Sequence, residues 1–184
     1  EHQIKTINAS LDNPEIITVV GCHANRVIKR IRGKSRFVEN QIHENSNSSE
    51  SLRLAFNNST SLNFLFVHGD LHFNSKTLDV SFEKSFVIVD SQNRFKDSEV
   101  GITKNKERLS IISYGLPEKW AQIAFVTGQE YEILKNIFNK YEAQDKKRLS
   151  FEIINTIVEM GGKFACYEPS GMKITEIDRI RDIK

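Results

Sequence analysis

Cysteine is scarce: Cys22 and Cys166 are the only two in 184 residues. A pair so far apart offers neither a disulfide framework nor a paired-thiol metal site, which fits a reducing compartment and two small buried hydrophobes. Proline is limited to 3, while hydrophobic residues make up 39% and phenylalanine alone contributes 12, so wholesale disorder is excluded. Neither sign of charge prevails, since 26 Lys plus Arg face 24 Asp plus Glu for a net +2. Attraction to nucleic acid or membrane must therefore come from a local cluster. No run reaches the roughly 18 to 20 apolar residues of a membrane span, and no basic-then-apolar signal segment opens the chain, which reads as soluble. The start at Glu1, without an initiator methionine, reads as a trimmed one. A phosphate-binding glycine loop, a nucleophile elbow and an HExxH sequence are all missing, and these absences point to a protein without catalysis and without a cofactor.

What is present begins with Glu15 to Cys22 (EIITVVGC), a β-branched run closed by Gly21 that reads as a strand. The stretch from Arg26 to Arg36 (RVIKRIRGKSR) then carries Arg26, Lys29, Arg30, Arg32, Lys34 and Arg36, with Val27, Ile28 and Ile31 spaced for one face of a short helix that Gly33 ends. These six cations are the candidate anion or nucleic-acid contact, weighed against a plain solvated face. Glu44 to Glu50 (ENSNSSE) reads as a polar loop.

From Leu62 to Phe125, short runs rich in Phe, Val and Ile alternate with turn residues, the pattern of an antiparallel sheet. The expected strands are Leu62 to Phe73, Thr77 to Phe82, Ser85 to Asp90, Arg108 to Tyr114 and Trp120 to Val126, with a long polar loop from Ser91 to Lys106. Leu62, Phe64 and Phe66 alternate with Leu65 and Val67, so the first strand is apolar on both faces and central. After Thr127 the period changes. Tyr131, Leu134, Ile137, Phe138 and Tyr141 keep helical spacing behind a Thr127–Glu130 capping box, and Phe151, Ile154 and Val158 mark a second helix that Gly161-Gly162 stops. Ile174, Ile177, Ile180 and Ile183 suggest a last short helix. The expected class is α+β: a curved antiparallel sheet domain over 1–126 followed by a small helical domain over 127–184.

His68, Asp70 and His72 would share one face of a regular strand, as metal ligands do, but Gly69 invites a bulge that spoils the alternation, and structural histidines are the commoner case. No metal is expected. The aromatics Tyr131, Phe138, Tyr141 and Phe151 either pack on the sheet or form a groove for a partner.

The segments FLFVHGDLHF at 64–73, Ser81-Phe82 with Ser85 to Val89, and ERLSIISYGLPEKW at 107–120 resemble the nuclear-transport-factor-2-like domain of TAP-type messenger-RNA export receptors. Glu130 to Phe164 is similar to the first two helices of the ubiquitin-associated-like domain that ends that family. The resemblance implies a non-catalytic adaptor in the nucleus, at the nuclear envelope or in the cytoplasm. Its implied partners are Phe-Gly repeats of nucleoporins, a small partner of like fold in a heterodimer, and RNA along the basic stretch. Tyr131, Leu134, Phe151, Ile154 and Val158 become the groove residues under it. The competing expectation is a pleckstrin-homology-like barrel, with Ser85 to Val126 as its last strands and Tyr131 to Tyr141 as a capping helix, binding a peptide, a phosphoinositide or a chromatin partner through the cations.

Overall fold

The computed structural model describes residues 1–91 and 99–177. The chain runs α1 (His2–Ser10), β1 (Ile17–Val20), α2 (Ala24–Ile31), β2 (Arg36–Glu39), α3 (Ser48–Asn57), β3 (Phe64–Val67), β4 (Leu71–Phe73), β5 (Phe86–Asp90), β6 (Val100–Asn105), β7 (Arg108–Tyr114), β8 (Glu118–Val126), α4 (Gly128–Asn139), α5 (Ser150–Glu159), β9 (Ala165–Tyr167) and β10 (Ile174–Glu176). β1 and β2 pair in parallel across α2, a βαβ unit. The main sheet has the order β3-β8-β5-β9-β7-β6, and a further pairing of β6 with β8 closes that order on itself. β5 and β9 are parallel, so the sheet is mixed and the all-antiparallel expectation is corrected.

Alternation across the sheet places the core. Phe64, Phe66, Val87, Val89, Ala124 and Val126 face one side, with Leu52 and Phe56 of α3, Leu134 and Phe138 of α4, and Phe151, Ile153, Ile154 and Ile157 of α5. Leu65, Val67, Phe86, Ile88, Ile123 and Phe125 face the other, where Leu71, Phe73, Leu78 and Ile7 cover them. With both faces covered, β5 is buried at all five positions, the apolar run Phe86 to Val89 and Asp90 at its end. β3 is apolar on both faces as expected, yet it lies at the end of the strand order and the central place falls to β5.

The boundary expected at 126/127 falls inside this arrangement: α4 and α5 share a core with the sheet, and β9 is hydrogen-bonded between β5 and β7. Helices α3, α4 and α5 pack on one face of the sheet and α1 covers part of the other, so the helices are neither a separate satellite nor a single cap.

The stretch read as a polar loop opens α3. Asn47 Oδ1 accepts the Ser48 amide at 3.0 Å, Ser49 Oγ donates to the Asp145 carbonyl at 2.7 Å, and Glu50 is bound by Arg53 at 2.8 Å. Polar side chains are buried here because each finds a partner in a short 3-10 turn or on its own helix. Thr77 to Phe82 forms a 3-10 turn at Ser75–Leu78 in place of a strand. Part of the expected loop from Ser91 to Lys106 is strand β6, and 92–98 lie outside the described residues. Ile174 enters β10 where a helix was expected, while Ile180 and Ile183 lie outside the described residues. Thr127 starts α4 without the capping box: the Thr127 amide donates to Ser85 Oγ at 3.0 Å, and Glu130 binds Ser85 Oγ at 3.0 Å and the Lys163 amide at 2.8 Å.

Candidate functional site

A cavity of about 390 Å³ opens where the β3–β4 turn, the start of β8 and the first turns of α3 and α5 meet, and His68, Asp70, Lys119, Gln122, Ser48 and Ser150 contribute polar side chains to it. Its apolar wall is Tyr114, Trp120 and Phe151, with Leu149 and Val100, and Glu99 and Glu176 complete the rim.

The turn after β3 is fixed from two sides. Gln3 of α1 donates its Nε2 to the carbonyls of His68 at 2.8 Å and Leu71 at 2.7 Å, and the Ile177 amide donates to the Asp70 carbonyl at 2.8 Å. The turn therefore breaks an otherwise apolar run to hold Asp70, whose side chain is exposed, at the cavity. His68 lies beside it in contact with Phe66 and Trp120, ring centroids 5.0 and 5.8 Å away. Its Nε2 and Ser150 Oγ are 3.0 Å apart, and the Ser150 amide donates to Ser48 Oγ at 2.8 Å. Burial lowers the imidazole below its usual 6.5, and the Asp70 carboxylate partly opposes that. A neutral imidazole that orients a hydroxyl is the consequence.

Opposite the turn, β8 changes register against β5 between Val87 and Val89, and Gln122 takes a left-handed conformation at φ 58°. A bulge of this kind re-aims side chains, and it brings Lys119, Trp120 and Gln122 to one cavity. Lys119 Nζ lies 3.4 Å from Glu99 and 4.0 Å from Glu176. Glu176 arrives because β10 pairs antiparallel with β4, setting it across from Leu71.

The structure separates several residues that sequence spacing grouped. His68 and Asp70 meet at the cavity, but His72 stacks on His2 with ring centroids 3.9 Å apart, and the three do not converge. Among the described residues no group of three or more His, Cys, Asp or Glu could hold a metal ion. Tyr131, Leu134, Phe151 and Ile154 are buried and Val158 packs against the same core, so these side chains are taken up by the interior. Phe151 alone also borders the cavity. Arg26, Lys29, Arg30, Arg32, Lys34 and Arg36 are exposed on α2 and the strand after it, where Glu1 binds Arg30 at 3.1 Å and Lys34 at 2.6 Å, and Glu15 binds Arg36. Cys166 is buried but Cys22 is exposed, against the expectation of two buried thiols. Sequence reading missed Lys119, Glu99, Glu176, Ser48 and Ser150 as site residues. The one local signal was the polar Gly69-Asp70 break between apolar runs.

No family model matches the sequence, and no curated protein matches it. Solved structures do match across nearly the whole chain. The CTP:phosphocholine cytidylyltransferase of Streptococcus pneumoniae superposes with a TM-score of 0.74 at 17% identity, over 98% of this chain and 79% of that one. The inositol-1-phosphate CTP transferase of T. maritima gives 0.72 at 16% identity, over 98% and 78%. A nucleoside-diphosphate-sugar pyrophosphorylase of Vibrio cholerae gives 0.71 at 10%, over 99% and 84%. Likeness at this identity establishes the fold. It overturns the resemblance to TAP-type export receptors, and with it the non-catalytic adaptor, the nuclear transport and mRNA-export roles and the barrel alternative, because the chains that share this architecture are named as enzymes. Among the described residues no helix is long and apolar enough to cross a membrane.

Proposed function

We propose that this chain is a nucleotidyltransferase domain, transferring a nucleotidyl group from a nucleoside triphosphate to a phosphorylated acceptor. The observation that carries the reading is the coincidence of a nucleotidyltransferase fold over 98% of the chain with a polar 390 Å³ cavity between the β3–β4 turn, β8 and the starts of α3 and α5. A crevice lined by a few converging polar groups and an apolar wall is the usual form of a ligand site. The neighbours' named substrates, phosphocholine and inositol 1-phosphate among them, supply the acceptor class, a phosphate monoester.

In such a reaction an acceptor phosphate oxygen bonds to the α-phosphorus, the α–β anhydride bond breaks, and pyrophosphate leaves with the electron pair. Catalysis is then positioning and charge stabilisation more than covalent chemistry. Lys119 is the cation at the cavity suited to a phosphate oxygen, and the Gln122 and Ser48 side chains supply neutral polar contacts. His68, neutral at physiological pH, orients the Ser150 hydroxyl. A triphosphate commonly arrives with Mg²⁺, which neutralises its charge. Asp70 and Glu176 are the oxygen donors of the right hardness, and one or two carboxylates suffice when substrate phosphates complete the shell.

Calorimetric titration of CTP, UTP, GTP, ATP and dTTP into the protein, with and without Mg²⁺, tests the reading, followed by a pyrophosphate-release assay with phosphate-monoester acceptors. At least one triphosphate should bind, and Asp70→Asn should lower release by about 100-fold with the fold intact. Absence of binding to every triphosphate by the folded protein would sink the reading.

A further inference from the structure

Packing does little to confine the β3–β4 turn that presents Asp70. A Cβ built on Gly69 would meet nothing within 4 Å, and glycine restricts the backbone least of all residues. Hydrogen bonds set the turn instead. Gln3 Nε2 donates to the His68 carbonyl at 2.8 Å and to the Leu71 carbonyl at 2.7 Å, so one carboxamide bridges the turn on both sides of Asp70. The Ile177 amide donates to the Asp70 carbonyl between them at 2.8 Å. Helix α1 does not depend on that carboxamide for its own docking. Ile4 and Thr6 are buried, Ile7 packs on the sheet, and His2 Nε2 donates to the Phe73 carbonyl at 2.8 Å. The helix is thus a fixed frame from which Gln3 reaches the turn, although Gln3 itself does not line the cavity.

We propose that Gln3 is a positioning residue of the transferase site: through the backbone of the turn it fixes the place of the Asp70 carboxylate for a Mg²⁺-bound triphosphate. This rests on the transferase reading above. Mg²⁺ demands near-ideal ligand geometry, and a displacement of about 1 Å in a positioned group is felt as a loss of one to two orders of magnitude, so a turn released from its anchor should bind the metal-laden substrate poorly while the fold stays whole.

Gln3→Met keeps the length of the side chain and removes both donors, and Gln3→Glu keeps its shape but faces the two carbonyls with an acceptor. Binding of CTP, UTP, GTP, ATP and dTTP to the folded full chain is measured by calorimetry with and without Mg²⁺, for the wild type, both Gln3 variants, Asp70→Asn and the Gln3→Met/Asp70→Asn double variant. Hydrogen exchange of peptides covering 66–72 is followed in parallel. Each Gln3 variant should weaken Mg²⁺-supported binding about tenfold, leave Mg²⁺-free binding within about twofold, and speed exchange at the turn. The double variant should bind no more weakly than Asp70→Asn alone, since Gln3 acts through that carboxylate. Wild-type affinity in both Gln3 variants, equal weakening with and without Mg²⁺, or losses that multiply in the double variant would each overturn the proposal, while triphosphate binding by the wild type keeps the transferase reading. If the wild type binds no triphosphate, the transferase reading falls and exchange decides the anchor: faster exchange over 66–72 in the Gln3 variants upholds it, and unchanged exchange overturns it.

Discussion

His68 shows how one side chain takes its properties from its surroundings. Sequence spacing set it beside Asp70 and His72 as a metal set weighed against a structural histidine and not preferred, and burial against Phe66 and Trp120 makes it a neutral hydrogen-bond partner of Ser150. Its folded value lies below the ordinary 6.5, so between those two values the unfolded chain holds a proton that the folded chain lacks. Stability contributed by this group is fully present above 6.5 and is lost as pH falls through that window, with a slope of at most about 1.4 kcal/mol per pH unit. Urea unfolding at about pH 7.5 and about pH 5.5 should show the wild type losing more stability than His68→Gln, and equal losses would contradict the assignment. The thiols give a second contrast. Cys166 is buried and its thiol is pushed up to about 11, chiefly by that burial, whereas Cys22 is exposed. Native protein treated with iodoacetamide near pH ~8 should add one label, at Cys22, and take the second only after denaturation, as peptide mass spectrometry would register.

Secondary elements are tied together by side chains standing in for backbone. Asn155 on α5 accepts the Ile112 amide at 2.9 Å and donates to the Ile112 carbonyl at 2.8 Å, so it pairs with β7 as a neighbouring strand would. Asn155→Ala leaves both groups of Ile112 without that partner and should cost about 2 kcal/mol, read from chemical denaturation midpoints. Gly101 marks where β6 approaches β8. A Cβ there would lie 2.4 Å from the Leu116 carbonyl oxygen and 2.9 Å from that of Glu118, and backbone cannot yield as a flexible side chain would. Gly101→Ala should therefore break the β6–β8 pairing and destabilise the protein by about 1 to 3 kcal/mol, while Gly69→Ala, with nothing within 4 Å, should leave the denaturation midpoint nearly unchanged. Strands and helices with undivided apolar periodicity were legible: β5, β7, β8, α4 and α5 fall close to where Phe, Val and Ile recur. α3 was not, because Ser49 and Glu50 are buried by partners at Asp145 and Arg53 and carry no apolar mark.

On one face of the sheet a continuous core runs from Leu52 and Val87 to Ile157 and Phe164, so the sheet and the C-terminal helices should melt together. A single transition, coincident by far-ultraviolet circular dichroism and tryptophan fluorescence, is expected for the whole chain. A fragment ending at residue 126 loses Phe138, Phe151, Ile153, Ile154, Ile157 and Phe164 from that core and should show no cooperative transition.

The order of amino acids settled which segments are apolar on one face or two, where glycine stops a helix, and that α2 would carry exposed cations, because these follow from local periodicity and backbone sterics. It left the cavity unspecified. Asp70, Lys119, Glu176 and Ser150 come from four stretches of chain, and they converge through the pairing of β10 with β4, the bulge in β8 and the docking of α5 on the sheet. Long-range strand pairing is governed by which apolar faces bury one another across the whole chain, and no short motif encodes that choice.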